Sequence, residues 1–382
     1  MFPLLTEMGF QPEGKAWHYP IGRDAAAFHI NAFAVQSFID RVLRRQSEDM
    51  VNPVATLHHQ KGLKLIRERL GGDDEEAKIS DATIGVVLKL AGAAQFGGHV
   101  EIAQQHMHGL WEMTNLRGGV RVFQDNPKLL VEIWRSLKCK FPNEPFVLIL
   151  RRCDLGIALL ANSDPVFYRQ PAEPLPDYPE QVISSFSPSI YSQEDMQLVQ
   201  DLNGHLAEVW LVMRKFCLLA NLGTQTRMLI QPATIYGTMT AVMYRLLRMG
   251  FAAGTLDESL RLGLLAFTHH VFLQWQDMRL PCQPLSESYR NYLQVHALGD
   301  TIPTRISLWL LMIGAISLFS VSDELWLADY LRRQAERCGV KTWKDGQEIL
   351  KSSMWISLLD DKSGKQIYDS LTEMSGLVLG TD

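Results

Sequence analysis

The chain has 382 residues, of which 47% are hydrophobic and 21% charged; this excludes a mainly disordered polar chain and leaves room for one large core or two closely packed lobes. A formal net charge of -5 excludes a general pull toward nucleic-acid phosphates, so direct nucleic-acid binding is not expected. The five cysteines, Cys139, Cys153, Cys217, Cys282 and Cys338, come no closer than 14 positions, which excludes paired zinc spacing; with no signal peptide, they read as reduced, buried thiols of the nucleus or cytoplasm.

Residues 1–23 carry Pro3, Pro12 and Pro20 with no apolar period and read as an extended arm. An N-terminal helical lobe is expected over 24–162. Behind an Asp24 cap, Phe28, Val35, Phe38, Ile39 and Val42 fall at helical spacing and give one apolar stripe. Asn52-Pro53 supplies a capping side chain and a proline suited to a first turn, and Asn126-Pro127 repeats the signal ahead of Leu130, Ile133, Trp134 and Leu137. The basic residues Arg41, Arg44, Arg45, Lys61, Lys64, Arg67 and Arg69 are followed by Asp73, Asp74, Glu75 and Glu76, a mixture that suits solvated helix faces.

Ser80 to Phe96 is nearly continuous small and apolar sequence, long enough for a buried helix. Val100, Ala103, Met107 and Leu110 then share one face of a second helix that is expected to pack on the first and to end at Gly118-Gly119. Six prolines between 163 and 192 (Pro165, Pro171, Pro174, Pro176, Pro179 and Pro188) mark a long connection and a lobe boundary.

A C-terminal lobe is expected over 193–382. It opens with Ser192 and Asp195 in a capping arrangement, then Val199, Leu202, Leu206, Val209, Met213 and Phe216 at steps of three and four. That seam suits ordinary bundle packing, with a coiled-coil homodimer as the other reading. Further helices are expected after Gln231-Pro232, after Thr255 with Glu258 as a capping box, after Pro303 and after Ser322. The last should have Asp323 and Glu324 in its first turn, Arg332, Arg333 and Arg337 near its end and Gly339 beyond it. The apolar run Ile306 to Val321 contains three serines and is short for a bilayer, so it reads as a core helix and no membrane association is expected. With no alternating strand pattern and no fixed-period repeat, the fold class is all-α, a multi-helix bundle of packed antiparallel helices.

Chemistry leaves few traces. There is no G-x-G-x-x-G, Walker-type loop or G-x-S-x-G elbow, and no cofactor or metal is expected. Histidine is the remaining candidate acid, base or ligand. His99 and His106 share a helix face, His108 lies one turn from Glu112, and His270, Gln274 and Asp277 share another face, yet no H-E-x-x-H occurs. Helix-surface or core hydrogen bonding is the plainer reading of each group. Were the chain an enzyme or small-molecule binder, His106, Arg117, His270 and Asp277 would be the residues to test.

The stretch Gly98 to Gly119, GHVEIAQQHMHGLWEMTNLRGG, resembles a segment of the second type of fungal-specific transcription factor domain, through His106, Gly109 and Leu110 and then Leu116, Arg117, Gly118 and Gly119. In this motif Gly109 would permit close helix approach, Arg117 would suit the negative helix end and the glycine pair would terminate the helix. Arg152, Asp154, Leu155, Pro165 and Phe167 are similar to the family's next element, and Arg261 to Phe267 to a later one. Trp309 with Gly314-Ala315, then Trp326, Leu350 and Trp355, echo its C-terminal part, so the resemblance spans Ser80 to Leu359. It implies a helical regulatory body of fungal origin with a role in controlling transcription, for example of a metabolic or secondary-metabolite gene cluster, through a protein partner or a small-molecule effector. The six-cysteine zinc cluster that such proteins use to enter the DNA major groove does not occur in this chain; a cluster encoded upstream is a third reading beside the regulator and the enzyme.

Overall fold

The computed structural model describes residues 24–40, 44, 52–119, 145–168, 174–178, 193–228, 230–274, 282–299, 302–322 and 324–378. Among them every regular element is a helix and none is a strand, so the fold is all-α. The helices fall into two compact units, one within residues 12–168 and one within 169–382.

The first unit contains α1 (Ala25–Phe38), α2 (Pro53–Gly71), α3 (Glu75–Lys78), α4 (Asp81–Phe96), α5 (Val100–Leu116) and α6 (Pro145–Ala161). Its helix starts follow local chemistry. Asp24 accepts from the Ala27 amide at 2.9 Å, Asn52 accepts from Val54 and Ala55 ahead of Pro53, and Ser80 accepts from Thr83, each satisfying an amide that has no intrahelical partner. The helix expected at Asn126-Pro127 lies outside the described residues.

Helix α4 is central to this unit, and that explains its lack of a polar face. Val86 and Leu90 join Ala26 and Ile30 of α1 and Ile66 of α2 in one cluster. Ile84, Val87, Leu88, Ala91 and Ala94 join Met107 and Leu110 of α5 and Leu150, Cys153 and Ile157 of α6 in a second. Burial on two sides requires apolar residues all round. The stretch Glu75–Phe96 is long and apolar enough by composition to cross a membrane, but here it forms two helices, and the apolar side chains of α4 fill these clusters.

The apolar stripe of α1 is only partly covered. Phe28 and Val35 are each 45% exposed, whereas Ala26 and Ile30 are the buried residues of α1. A small and a β-branched side chain face inward because α1 rests against Gly62 of α2. A Cβ added to Gly62 would lie 2.4 Å from Ile30 Cδ1 and 3.3 Å from the Ile30 backbone nitrogen. Gly62→Val should therefore lower stability by about 1–2 kcal/mol, since overpacking of about 1–3 kcal/mol exceeds the few tenths gained in helix propensity. Urea unfolding of the full chain checks this; an unchanged midpoint would contradict the close contact.

The second unit contains α7 (Gln193–Asp201), α8 (Gly204–Thr226), α9 (Pro232–Arg248), α10 (Leu256–Thr268), a π-helical turn (His269–Leu273), α11 (Gln283–His296), α12 (Thr304–Ser317), α13 (Leu325–Arg337), α14 (Trp343–Ser353) and α15 (Ser357–Val378). The seam expected to run unbroken from Val199 is interrupted at Asn203, whose side chain caps α8 by accepting from His205. Leu206, Val209, Met213 and Phe216 are fully buried in this unit, with Phe216 against Tyr178 and Phe272. Ser192 and the side chain of Asp195 lie outside what is described.

Helix α12 is the centre of this unit, buried from Ile306 to Ser317. Its serines are paired with carbonyl oxygens: Ser307 donates to Ala297 and Ser317 to Ile313, so hydroxyls in an apolar run carry no unmet desolvation cost. Gly263 of α10 lets Trp309 and Leu310 approach, since a Cβ there would lie 2.3 Å from Leu310 Cδ2 and 3.0 Å from the Trp309 ring. The helix expected at Ser322 begins at Leu325, which puts Glu324 ahead of the first turn rather than in it. Glu324 instead accepts from Arg290 and the Trp326 indole; Asp323 lies outside the described residues.

Candidate functional site

The residues of the L-R-G-G element form a joint in the first unit. Leu116 ends α5, and Gly118 and Gly119 follow with φ of 99° and 90°, a region that side-chain-bearing residues rarely adopt. Their amides donate to Asn115 and Thr114 at 2.9 and 2.8 Å, closing the helix. Arg117 reaches across to the start of α4, pairing with Asp81 and donating to the Ile79 carbonyl at 3.3 Å. The arginine thus ties two helices together, rather than only complementing its own helix end. Gly109 departs from expectation: nothing lies within 4 Å of a Cβ placed there, so it mediates no close helix approach among the described residues.

Asp154 does similar work one element later. It is 1% exposed and accepts from the amides of Val166 and Phe167, both at 2.8 Å. A carboxylate that takes two amides fixes the chain as it turns after α6 and seats Phe167 in the core. The residue types that carry the resemblance here are those a helix junction needs.

His106 lies half-buried on α5, three turns from Arg117. It belongs instead with other histidines of this unit. His29 Nδ1 and His58 Nδ1 are 2.8 Å apart across α1 and α2, and His59 stacks on Phe33 at 4.1 Å. Burial first, then His58 and Lys61, hold His29 below the ordinary imidazole range. Burial, then Arg67, lowers His59, and burial, then His59, lowers His106.

A base held low in the fold takes its proton more readily when unfolded, so its contribution is complete above about pH 6.5 and is lost as pH falls through the folded value. Thermal midpoints of the full chain should therefore be lower at about pH 5.5 than at about pH 7.5. The combined variant His29→Gln, His59→Gln and His106→Gln should narrow that gap. An undiminished gap would assign the acid sensitivity to other groups.

In the second unit, His270 and Gln274 come together as their spacing implied, although through a π-helical turn. His270 Nδ1 lies 3.1 Å from Gln274 Oε1. The third expected member, Asp277, lies outside the described residues. The carboxylate that meets the ring is Asp360, in the first turn of α15, with Oδ1 2.9 Å from His270 Nε2 and Oδ2 accepting from the Ile356 amide at 2.7 Å. Sequence reasoning missed Asp360 because an acidic residue in a first turn carries only the signal of a helix start.

Hydrogen-bond accounting defines what this cluster can do. Gln274 Nε2 donates to the Ser317 carbonyl at 2.8 Å, and a carbonyl only accepts, so Gln274 Oε1 faces the ring. Both imidazole nitrogens are then engaged inside the fold, one by Gln274 and one by Asp360. Neither is left open toward a substrate. Asp360 is fully buried and the His270 side chain is 13% exposed, so the cluster ties the π turn to α12 and α15.

The described thiols are no better placed for catalysis. Cys153 and Cys282 are buried and pushed up to about 12 and about 11 by burial, and burial followed by Asp360 pushes Cys217 well up; such thiols are poor nucleophiles. Cys338 is also raised by burial, and Cys139 lies outside the described residues. Lys89, in the apolar run of α4, is lowered to about 8 by burial. A groove of about 360 Å³ is lined by Ser320, Ser322, Ser363, Gln366 and Ser370. No family model, curated protein or solved structure matches the chain.

Proposed function

We propose that the chain is a transcription-factor-like regulatory protein that acts through a protein partner or a small-molecule effector and controls metabolic genes. The observation that carries this reading is the L-R-G-G joint, where Arg117 pairs with Asp81 and Gly118 and Gly119 close α5. It supports the reading because the residues resembling the regulatory family are those that set the junctions of a helical body. Asp154 at the turn after α6 and Gly263 under Trp309 add to the same pattern. The acidic net charge of -5 agrees with regulation through a separate DNA-binding factor.

Fused to a heterologous DNA-binding domain and expressed in fungal cells, the full chain should change reporter output several-fold, and Arg117→Ala should reduce that change. The purified chain should leave duplex DNA unshifted at physiological salt. A silent fusion that enters the nucleus, or tight and salt-sensitive DNA binding by the chain alone, would count against the proposal.

An enzyme or small-molecule binder is the second reading, favoured by the serine-lined groove, whose volume of about 360 Å³ falls within the roughly 300–1,000 Å³ typical of ligand sites. Thermal-shift screening of polar metabolites against the native chain and Ser363→Trp would test it. Stabilisation by a ligand that the variant no longer binds would favour this reading.

A further inference from the structure

We propose that His29 and His58 form a two-nitrogen clamp for a divalent cation of tetragonal preference, such as Cu²⁺ or Ni²⁺, between α1 and α2. The two Nδ1 atoms face one another at 2.8 Å. Only one hydrogen can lie on that line, so one ring donates and the other presents a lone pair. A metal ion replaces this shared hydrogen, which passes through solvent to Nε2 of the same ring, and takes both Nδ1 atoms as neutral ligands, the form imidazole must have to coordinate.

The separation lets both nitrogens reach one ion. With metal–nitrogen bonds of about 2.0–2.1 Å, nitrogens 2.8 Å apart subtend an angle of about 84–89° at the metal. That is the angle between neighbouring ligands in a square-planar or octahedral site. Turning each ring about its χ2 bond aims both lone pairs at one ion and moves the two nitrogens with it. The preference for Cu²⁺ or Ni²⁺ therefore rests on the tetragonal geometry these ions adopt with nitrogen ligands and on the order of divalent affinities, in which Cu²⁺ stands highest.

The clamp is held by packing that does not involve the rings. Ile30, next to His29, seats on Gly62, one turn beyond His58, and Asp24 pairs with Arg69 at 2.7 Å. These contacts fix the spacing of the two helices beneath the histidines, and rigid support of this kind is what a metal site requires. The Phe28 ring meets both imidazoles edge-on, with centroids at 5.4 and 5.8 Å, and is 45% exposed; the pair therefore lies near the surface, within reach of solvent. Among the described residues no group of three or more His, Cys, Asp or Glu gathers to hold a metal. Water or a small ligand would fill the remaining positions, and the nearby Lys61 cation, which acts on His29, favours an anionic one.

Titration of the full chain with Cu²⁺, followed by calorimetry and electron paramagnetic resonance, tests this. One equivalent should bind with an axial spectrum showing nitrogen coupling. His29→Gln and His58→Gln should each weaken binding by at least the roughly tenfold that loss of an outer-shell partner costs, whereas His59→Gln should not. Circular dichroism of each variant verifies that the helices persist. The absence of binding by the native chain, equal affinity in either histidine variant, or a tetrahedral spectrum would overturn the proposal.

Discussion

Trp309→Ala is expected to lower the unfolding free energy by about 3–5 kcal/mol, the range for removing a fully buried tryptophan. Trp309 is 0% exposed and meets Trp210 of α8 and Phe267 of α10 edge-on, with ring centroids 5.4 and 6.1 Å away. Its indole donates to the Met354 carbonyl at 2.7 Å, so alanine would leave a cavity among three helices and a buried acceptor without its donor. Gly263 lies directly beneath the ring and supplies no side chain to fill the space. Urea unfolding measures the loss. A change below about 1 kcal/mol would mean that the neighbours collapse into the gap and that the ring is not the centre of this core.

Asp360→Ala should cost a similar amount, about 3–5 kcal/mol, because breaking a buried pair strands its partner. His270 would lose its carboxylate and the Ile356 amide its acceptor. Asp360→Asn should be milder, at about 1–3 kcal/mol, since its single carbonyl oxygen can satisfy only one of the two donors. Nitrogen NMR of His270 should show both ring nitrogens hydrogen-bonded in the native chain, and Asp360→Ala should move the Nε2 signal. An Nε2 signal unmoved by Asp360→Ala, or a fully stable variant, would contradict the tie. Because the cluster supports structure, its loss should affect folding before any ligand response.

Several readings made from local sequence agree with the structure. Asp24, Asn52 and Ser80 cap the helices they precede, and Gly118-Gly119 and Gly339 close theirs with positive φ. The buried character of α4 and α12 was legible because a helix covered on every side cannot carry a polar face. The contacts of His270 were half legible: Gln274 lies one turn away in sequence, whereas Asp360 lies 90 residues away and carries no signal pointing back.

Other features depended on which distant surfaces met. The large residues Phe28 and Val35 belong to the apolar stripe of α1, but Gly62 made room for Ile30 instead. Gly109 and Gly62 are the same residue type inside helical segments; one faces open space and the other receives a neighbouring side chain. The histidines in contact are His29 and His58, which no spacing rule connects because they stand on different helices.

The sequence by itself determined that this protein is built of helices and where many of them start and stop, because capping and termination act over a single turn of chain. Tertiary structure alone decided which faces are buried, which glycines serve as contacts and which histidines and carboxylates meet. Those outcomes depend on side chains brought together from separate helices, and the free energy of each contact exists only once both surfaces are in place.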